Sequence, residues 1–169
     1  ALKPFYFGVA SGDPQQNTVI IWTKVWNETN QPATVKWEVA TDTTMQQIIA
    51  TDNVTADSSS AYTVKILVNG LQPNTTYFYR FQTDGISSPI GRTKTAPSTQ
   101  ADDLRFAVVS CNNYENGFFN AYHLIANRSD LNAVIHLGDY IYEYGANRNT
   151  KHPSVRSHIP AHEIINLQD

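Results

Sequence analysis

Residues 133–145 read AVIHLGDYIYEYG. An apolar run beginning at Ala133 stops at Gly138-Asp139, and an aromatic-rich turn carrying Tyr140, Tyr142 and Tyr144 follows at once. A short apolar run bounded by glycine has the pattern of a buried strand. Upstream, residues 104–110 read LRFAVVS, a second run of the same kind, which ends at Ser110-Cys111. Between the two lie a polar loop, NNYENG, and the segment FFNAYHLIANRS. That segment places Phe118, Ala121, Tyr122, Ile125 and Ala126 at helical spacing, with Asn116 ahead of them as a cap. Strand, helix and strand within about 35 residues predict a βαβ unit, its two strands parallel and buried on both faces.

The strand ends are where chemistry is expected, because open α/β sheets bind ligands beyond the carboxyl ends of their strands. Cys111 and Asp139 both stand at such an end. Adjacent strands lie ~5 Å apart, which lets both side chains reach one metal ion. Gly138 permits close approach of backbone. Tyr142, in the following turn, can bend back over the same point. A thiolate, a carboxylate and a phenolate gathered together require a cation. Soft sulfur beside hard oxygen is a poor set for Mg²⁺ alone, and zinc is bound chiefly by Cys, His and carboxylate. A phenol with an ordinary pKa of about 10 ionises at neutral pH only beside a strong Lewis acid, so a trivalent ion such as Fe³⁺ fits best. His136 reads as a core histidine or as a support behind the ligands. Glu143 either binds a second cation or faces solvent.

The first ninety-odd residues have another character. Short alternating or β-branched runs at 5–10, 18–25, 34–40, 47–51, 62–68, 76–83 and 92–95 are separated by turn sequences such as SGDPQQN, NETNQP and NGLQPN. This pattern predicts an antiparallel β-sandwich. Trp22 and Trp37 are expected in its core, Trp22 between the sheets. Asp13 is expected in a turn. Leu71, Pro73, Thr75 and Tyr77 form an L-x-P-x-T-x-Y run that resembles fibronectin type III domains, where the tyrosine hydroxyl bonds back to backbone at the sandwich corner. Residues 95–103, TAPSTQADD, have nothing to bury and read as a join. The resulting division is a sandwich over 1–97, a linker over 98–103 and a second unit over 104–169. The N-x-[ST] tripeptides at Asn27, Asn53, Asn74 and Asn127 carry no weight in so Asn- and Thr-rich a chain.

Composition narrows the partners. A net charge of −3 leaves no basic footprint, so nucleic-acid binding is not expected. No apolar run approaches the ~20 residues of a membrane span. Charged residues make up only 16 % while uncharged polar residues and Tyr abound, a balance that suits an exported β-rich protein. Residues 1–10, ALKPFYFGVA, do not read as a signal peptide, consistent with a mature or trimmed chain. Cys111 is the single cysteine, which excludes an intramolecular disulfide.

GDYIY at 138–142 resembles the G-D-x-x-Y block of purple-acid-phosphatase-type metallophosphatases. More closely, SCNNYENGFFNAYHLIA with HLGDYIYEYG resembles the alkaline phosphatase D (PhoD-like) family, in which Cys replaces the usual Asp of the first block. FYFGVASGDP, VIIWTKV and IGRTKTAP resemble that family's N-terminal sandwich, and KHPSVRSHIPAHEIINLQD resembles the next segment of its catalytic domain. The resemblance implies an all-β fibronectin type III/immunoglobulin-like sandwich followed by the first βαβ unit of an α/β, calcineurin-like metallophosphatase domain. It further implies an exported, calcium-dependent phosphatase and phosphodiesterase with one Fe³⁺ and companion Ca²⁺ ions. Carried onto this chain, Cys111 and Tyr142 bind iron, Asp139 binds or bridges iron and a neighbouring cation, and Asn112 and Asn113 lie close enough to touch a phosphoester substrate. Family members run beyond residue 169 and carry further ligands there, so the chain is expected to be an N-terminal fragment, inactive alone. His152, His158 and His162 lack metal-ligand spacing and receive no role. The rival reading is a non-catalytic fibronectin-type binding or spacer module. A redox or nucleophilic Cys111 lacks an obvious partner base.

Overall fold

Alternation of apolar and polar residues along short strands builds two antiparallel sheets in the first part of the chain. The structure, a computed structural model, describes residues 3–26, 29, 31–100, 103–146 and 154–166. Asn27 and His152, and residues 101–102 of the linker, lie outside them. The chain divides into two compact units, 1–101 and 102–169.

In the first unit, β1 (Val9–Gly12), β2 (Val19–Lys24) and β5 (Thr63–Val68) form one sheet in the order β1-β2-β5. The other sheet runs β4 (Ile48–Ala56), β3 (Ala33–Ala40) and β6 (Thr76–Thr83), with β7 (Ile86–Ser87) and β8 (Gly91–Lys94) sharing the far side of β6. Val19, Ile21, Val35, Val39, Val64, Val68, Tyr79 and Phe81 are among the residues that close the core between them. Phe5 also belongs to that core, although it enters from a turn rather than from the predicted strand at 5–10. Strand β4 runs to Ala56, beyond the expected end at 51, because it pairs with β3 along its whole length around a bulge at Val39/Ala40.

Trp22 is not between the sheets. In β2 the buried positions are Val19, Ile21 and Thr23, so the two-residue period turns Trp22 to the outer face, where it is half-buried. Thr23 holds its inward place by donating its hydroxyl to the Gly8 carbonyl at 2.8 Å. The corner at Tyr77 is as predicted. Its phenolic oxygen accepts the Gln72 amide at 2.8 Å, and buried Thr95 donates to the Gln72 carbonyl at 2.6 Å.

The second unit holds β9 (Phe106–Val109), the helix α1 (Asn120–Ala126) and β10 (Ala133–His136). Strands β9 and β10 pair in parallel, Phe106 opposite Ala133 and Val109 opposite His136. Two expectations are corrected here. Within this chain the strands are not buried on both faces: Phe106, Val108, Val134 and Ile135 are 42–58 % exposed, and α1 buries none of its own residues. The helix begins after Phe119, which takes a left-handed conformation with no side-chain cap bond, so Asn116 is not its cap. Instead the Asn116 amide donates to the Asn113 side chain at 3.1 Å, closing a local turn.

Strand β8 gives a test of the sandwich core. Gly91 lies opposite Tyr79, and a Cβ there would sit 2.3 Å from the ring of that buried tyrosine. Gly91→Ala is expected to cost about 1–3 kcal/mol by overpacking, read as a lower denaturation midpoint in urea with unchanged slope. An unshifted midpoint would mean that the ring has room to move.

Candidate metal centre

Parallel pairing carries the two strand ends forward together. Beyond the regular strands the Leu137 amide donates to Val109 at 2.8 Å, the Cys111 amide to Gly138 at 3.1 Å and the Asn112 amide to Asp139 at 2.8 Å. Both loops are therefore stitched to one another by main chain. Cys111 and Asp139 each take a left-handed conformation, φ 63° and 53°, and Gly138 sits at φ 118°, where a side chain would be strained. These turns bring the side chains out to one side of the ladder. Cys111 Sγ lies 3.5 Å from Asp139 Oδ2, and the Tyr142 hydroxyl donates to the same oxygen at 3.2 Å.

The three side chains singled out as ligands thus meet around a single carboxylate oxygen. The Tyr142 phenol is held well above its ordinary range, first by hydrogen bonding to the Cys111 sulfur, then by desolvation and by the bond to and charge of Asp139. Among the described residues no three His, Cys, Asp or Glu side chains converge; the cluster supplies two such groups and a phenol. A thiol, a carboxylate and a phenol meeting at one point form a donor set suited to a metal cation. For Ca²⁺, which takes roughly six to eight oxygen ligands, Asp139 is the carboxylate that the cluster offers among the described residues. Glu143 is exposed, and the interaction it shows is through its carbonyl, which accepts the Ile164 amide at 2.8 Å.

Asn112 and Asn113 flank the cluster. The Asn112 side-chain oxygen accepts the Tyr122 hydroxyl and lies 3.3 Å from His136 Nε2, while that of Asn113 accepts the Asn116 amide. His136 is half-buried. The Gly138 amide donates to its Nδ1 at 3.2 Å, so Nδ1 is an acceptor and Nε2 carries the proton in the neutral ring. Its ring stacks parallel to that of Tyr122, and Nε2 is 3.1 Å from the Tyr122 hydroxyl. In the sequence, Tyr122 stands out only as a position on the helix. Its position in the first turn of α1, which faces back towards the strand ends, was the signal for this further role.

The family described as "PhoD-like phosphatase, N-terminal domain" matches residues 1–97, and "PhoD-like phosphatase" matches residues 106–169. The chain belongs to the PhoD-like phosphatase family. It is 43 % identical to alkaline phosphatase D of Bacillus subtilis (strain 168) over 176 aligned positions, 98 % of this chain and 30 % of that protein. The solved structure of PhoD matches with a TM-score of 0.89 at 41 % identity, covering 99 % of this chain and 34 % of that one. The sensor domain of the anti-sigma factor RsgI4 in Pseudobacteroides cellulosolvens matches at a TM-score of 0.46 and 15 % identity, over 57 % of this chain and 99 % of that one. The chain spans about a third of the length of the phosphatases it matches.

In the metal-free chain, Tyr142 is expected to ionise well above the pH at which a free tyrosine does. Cys111→Ala removes the largest cause and brings that pH down, while Tyr142→Phe removes the late step from an ultraviolet pH titration. Coincident titrations of wild type and Cys111→Ala would show that the sulfur does not act on the phenol.

Proposed function

We propose that this chain is the N-terminal part of a metal-dependent phosphoester hydrolase of the alkaline phosphatase and phosphodiesterase type. In this reading the sandwich is a fibronectin type III-like domain, and β9-α1-β10 is the first βαβ unit of a calcineurin-like metallophosphatase domain. The observation that carries it is the meeting of Cys111, Asp139 and Tyr142 at parallel strand ends. We assign Cys111 and Tyr142 as the residues that would hold Fe³⁺, and Asp139 as the residue that would bind or bridge it and a neighbouring Ca²⁺. When bound, these ions supply positive charge that neutralises phosphoryl oxygens and favours in-line attack on phosphorus.

The chain's own residues do the rest of the work assigned here. Tyr142 would hold the ion as a phenolate, so affinity would rise with pH. The stack of Tyr122 and His136 fixes the Asn112 amide, whose NH₂ group is a donor for a phosphoryl oxygen. Turnover is assigned to the longer protein, because three donors leave coordination positions to be filled from elsewhere. The substrate is a phosphoester outside the cytoplasm, in keeping with the low charge and Tyr-rich surface. Nucleic acid is not a partner in this reading. Among the described residues no helix is long and apolar enough to cross a membrane.

Titration of the chain with Fe³⁺ is expected to produce a visible phenolate charge-transfer band. Tyr142→Phe should abolish the band, and Cys111→Ala should weaken binding by about 10–100-fold. A wild-type chain that takes up Fe³⁺ with no visible band would remove Tyr142 from the ligand set.

A further inference from the structure

The backbone stitching that holds the two loops ends at Asn112, yet the loop continues to Phe119 without regular secondary structure. Residues 154–166 take over from there. The Val155 amide donates to the Glu115 carbonyl at 2.8 Å, and Arg156 Nε donates to the Tyr114 carbonyl at 2.5 Å. His158 Nε2 lies 3.7 Å from Glu115 Oε1, with both side chains largely buried. The same segment also grips the other loop: the Ala146 amide donates to Ala161 at 2.9 Å and the Ile164 amide to Glu143 at 2.8 Å.

The centre of this grip is Arg156. Its guanidinium carbon stands 3.8 Å from the ring centre of Tyr114, 4.6 Å from that of Phe119 and 5.3 Å from that of Phe118. Its Nη2 is buried and has no hydrogen-bond partner among the described residues. A cation surrenders solvent in this way where aromatic faces compensate it. From Phe119 the contacts pass edge-on to Tyr122, with ring centres 5.8 Å apart, and from the Tyr122 hydroxyl to Asn112 and His136. An unbroken line of contacts runs from Arg156 to the residue beside Cys111.

We infer that Arg156 is a positioning residue for the metal centre, and that residues 154–166 are a strap that fixes the spacing between the Cys111 loop and the Asp139–Tyr142 loop. Arg156 touches no proposed ligand; it acts through Tyr114, Phe119, Tyr122 and Asn112. Its effect on metal rests on the metal reading above, whereas its effect on loop order does not.

The test uses the 169-residue chain with Arg156→Ala, Arg156→Lys and, as a control, Val155→Thr, which keeps the donating amide. Hydrogen exchange measured without metal should accelerate about tenfold over 111–119 and 139–146 in Arg156→Ala, with the amides of β2 and β3 unchanged. Fe³⁺ affinity should fall about 10–100-fold, with a weaker and shifted charge-transfer band. Lysine keeps the charge but not the planar fork, so Arg156→Lys should resemble the alanine variant, while Val155→Thr should resemble wild type. Exchange over both loops within about twofold of wild type in Arg156→Ala overturns the inference. So does unchanged Fe³⁺ affinity and band in that variant. If the wild-type chain takes up no Fe³⁺, the metal reading fails and the exchange comparison alone decides on the strap.

Discussion

Everything proposed for the site depends on one run of main-chain hydrogen bonds, the parallel ladder between β9 and β10. It does not stop where the strands lose regularity. Three further amide bonds, from Leu137, Cys111 and Asn112, carry the pairing into the loops. Parallel direction matters, since it places both carboxyl ends on the same side, and the register sets Val109 against His136. With that alignment Cys111 and Asp139 reach one point even though 28 residues separate them. Antiparallel pairing of the same two strands would send the two ends in opposite directions.

The two units are held together by different physics. Every buried apolar residue that builds the core belongs to the sandwich, and its polar corner is closed by Tyr77 and Thr95. Burial there raises the Tyr79 phenol to about 12, so the ring stays neutral in the core. Glu38 lies on the other face of the same sheet's central strand. Burial opposes its charge, yet the bonds from Lys36 at 2.5 Å and Arg80 at 2.7 Å outweigh that and hold the carboxyl below its usual range. Among the described residues of the second unit none belongs to such a core. That unit relies on the ladder, on aromatic edges and on a guanidinium enclosed by rings. Within this chain the order around Cys111, Asp139 and Tyr142 rests on these directional contacts.

The features legible in the sequence were those that depend on near neighbours. Two-residue alternation located most sandwich strands, and L-x-P-x-T-x-Y located the corner. Gly138-Asp139 at the end of an apolar run located one side of the cluster, and Ser110-Cys111 the other. Features set by partners distant in sequence were harder to read. Trp22 looked like core by size, but its parity in β2 turns it outward. The apolar content of β9 and β10 suggested burial, which depends on what packs over them. Asn116 has the composition of a cap, but the helix begins only after Phe119, whose ring meets those of Tyr114 and Tyr122. The segment from 154 onward offered no role to its histidines, and its contacts with Tyr114, Glu115 and Glu143 have no sequence periodicity.

Because the ladder is made of amides and carbonyls, it does not depend on which side chains it displays. The Cys111 amide would reach Gly138 equally well from another residue, provided that residue tolerates a left-handed backbone. Aspartate tolerates that conformation better than most side chains do. Position 111 can therefore exchange a soft sulfur for a hard oxygen without rebuilding the frame around it. Donor and frame are thus separable at this position: the side-chain atom on display can change while the backbone that presents it stays the same.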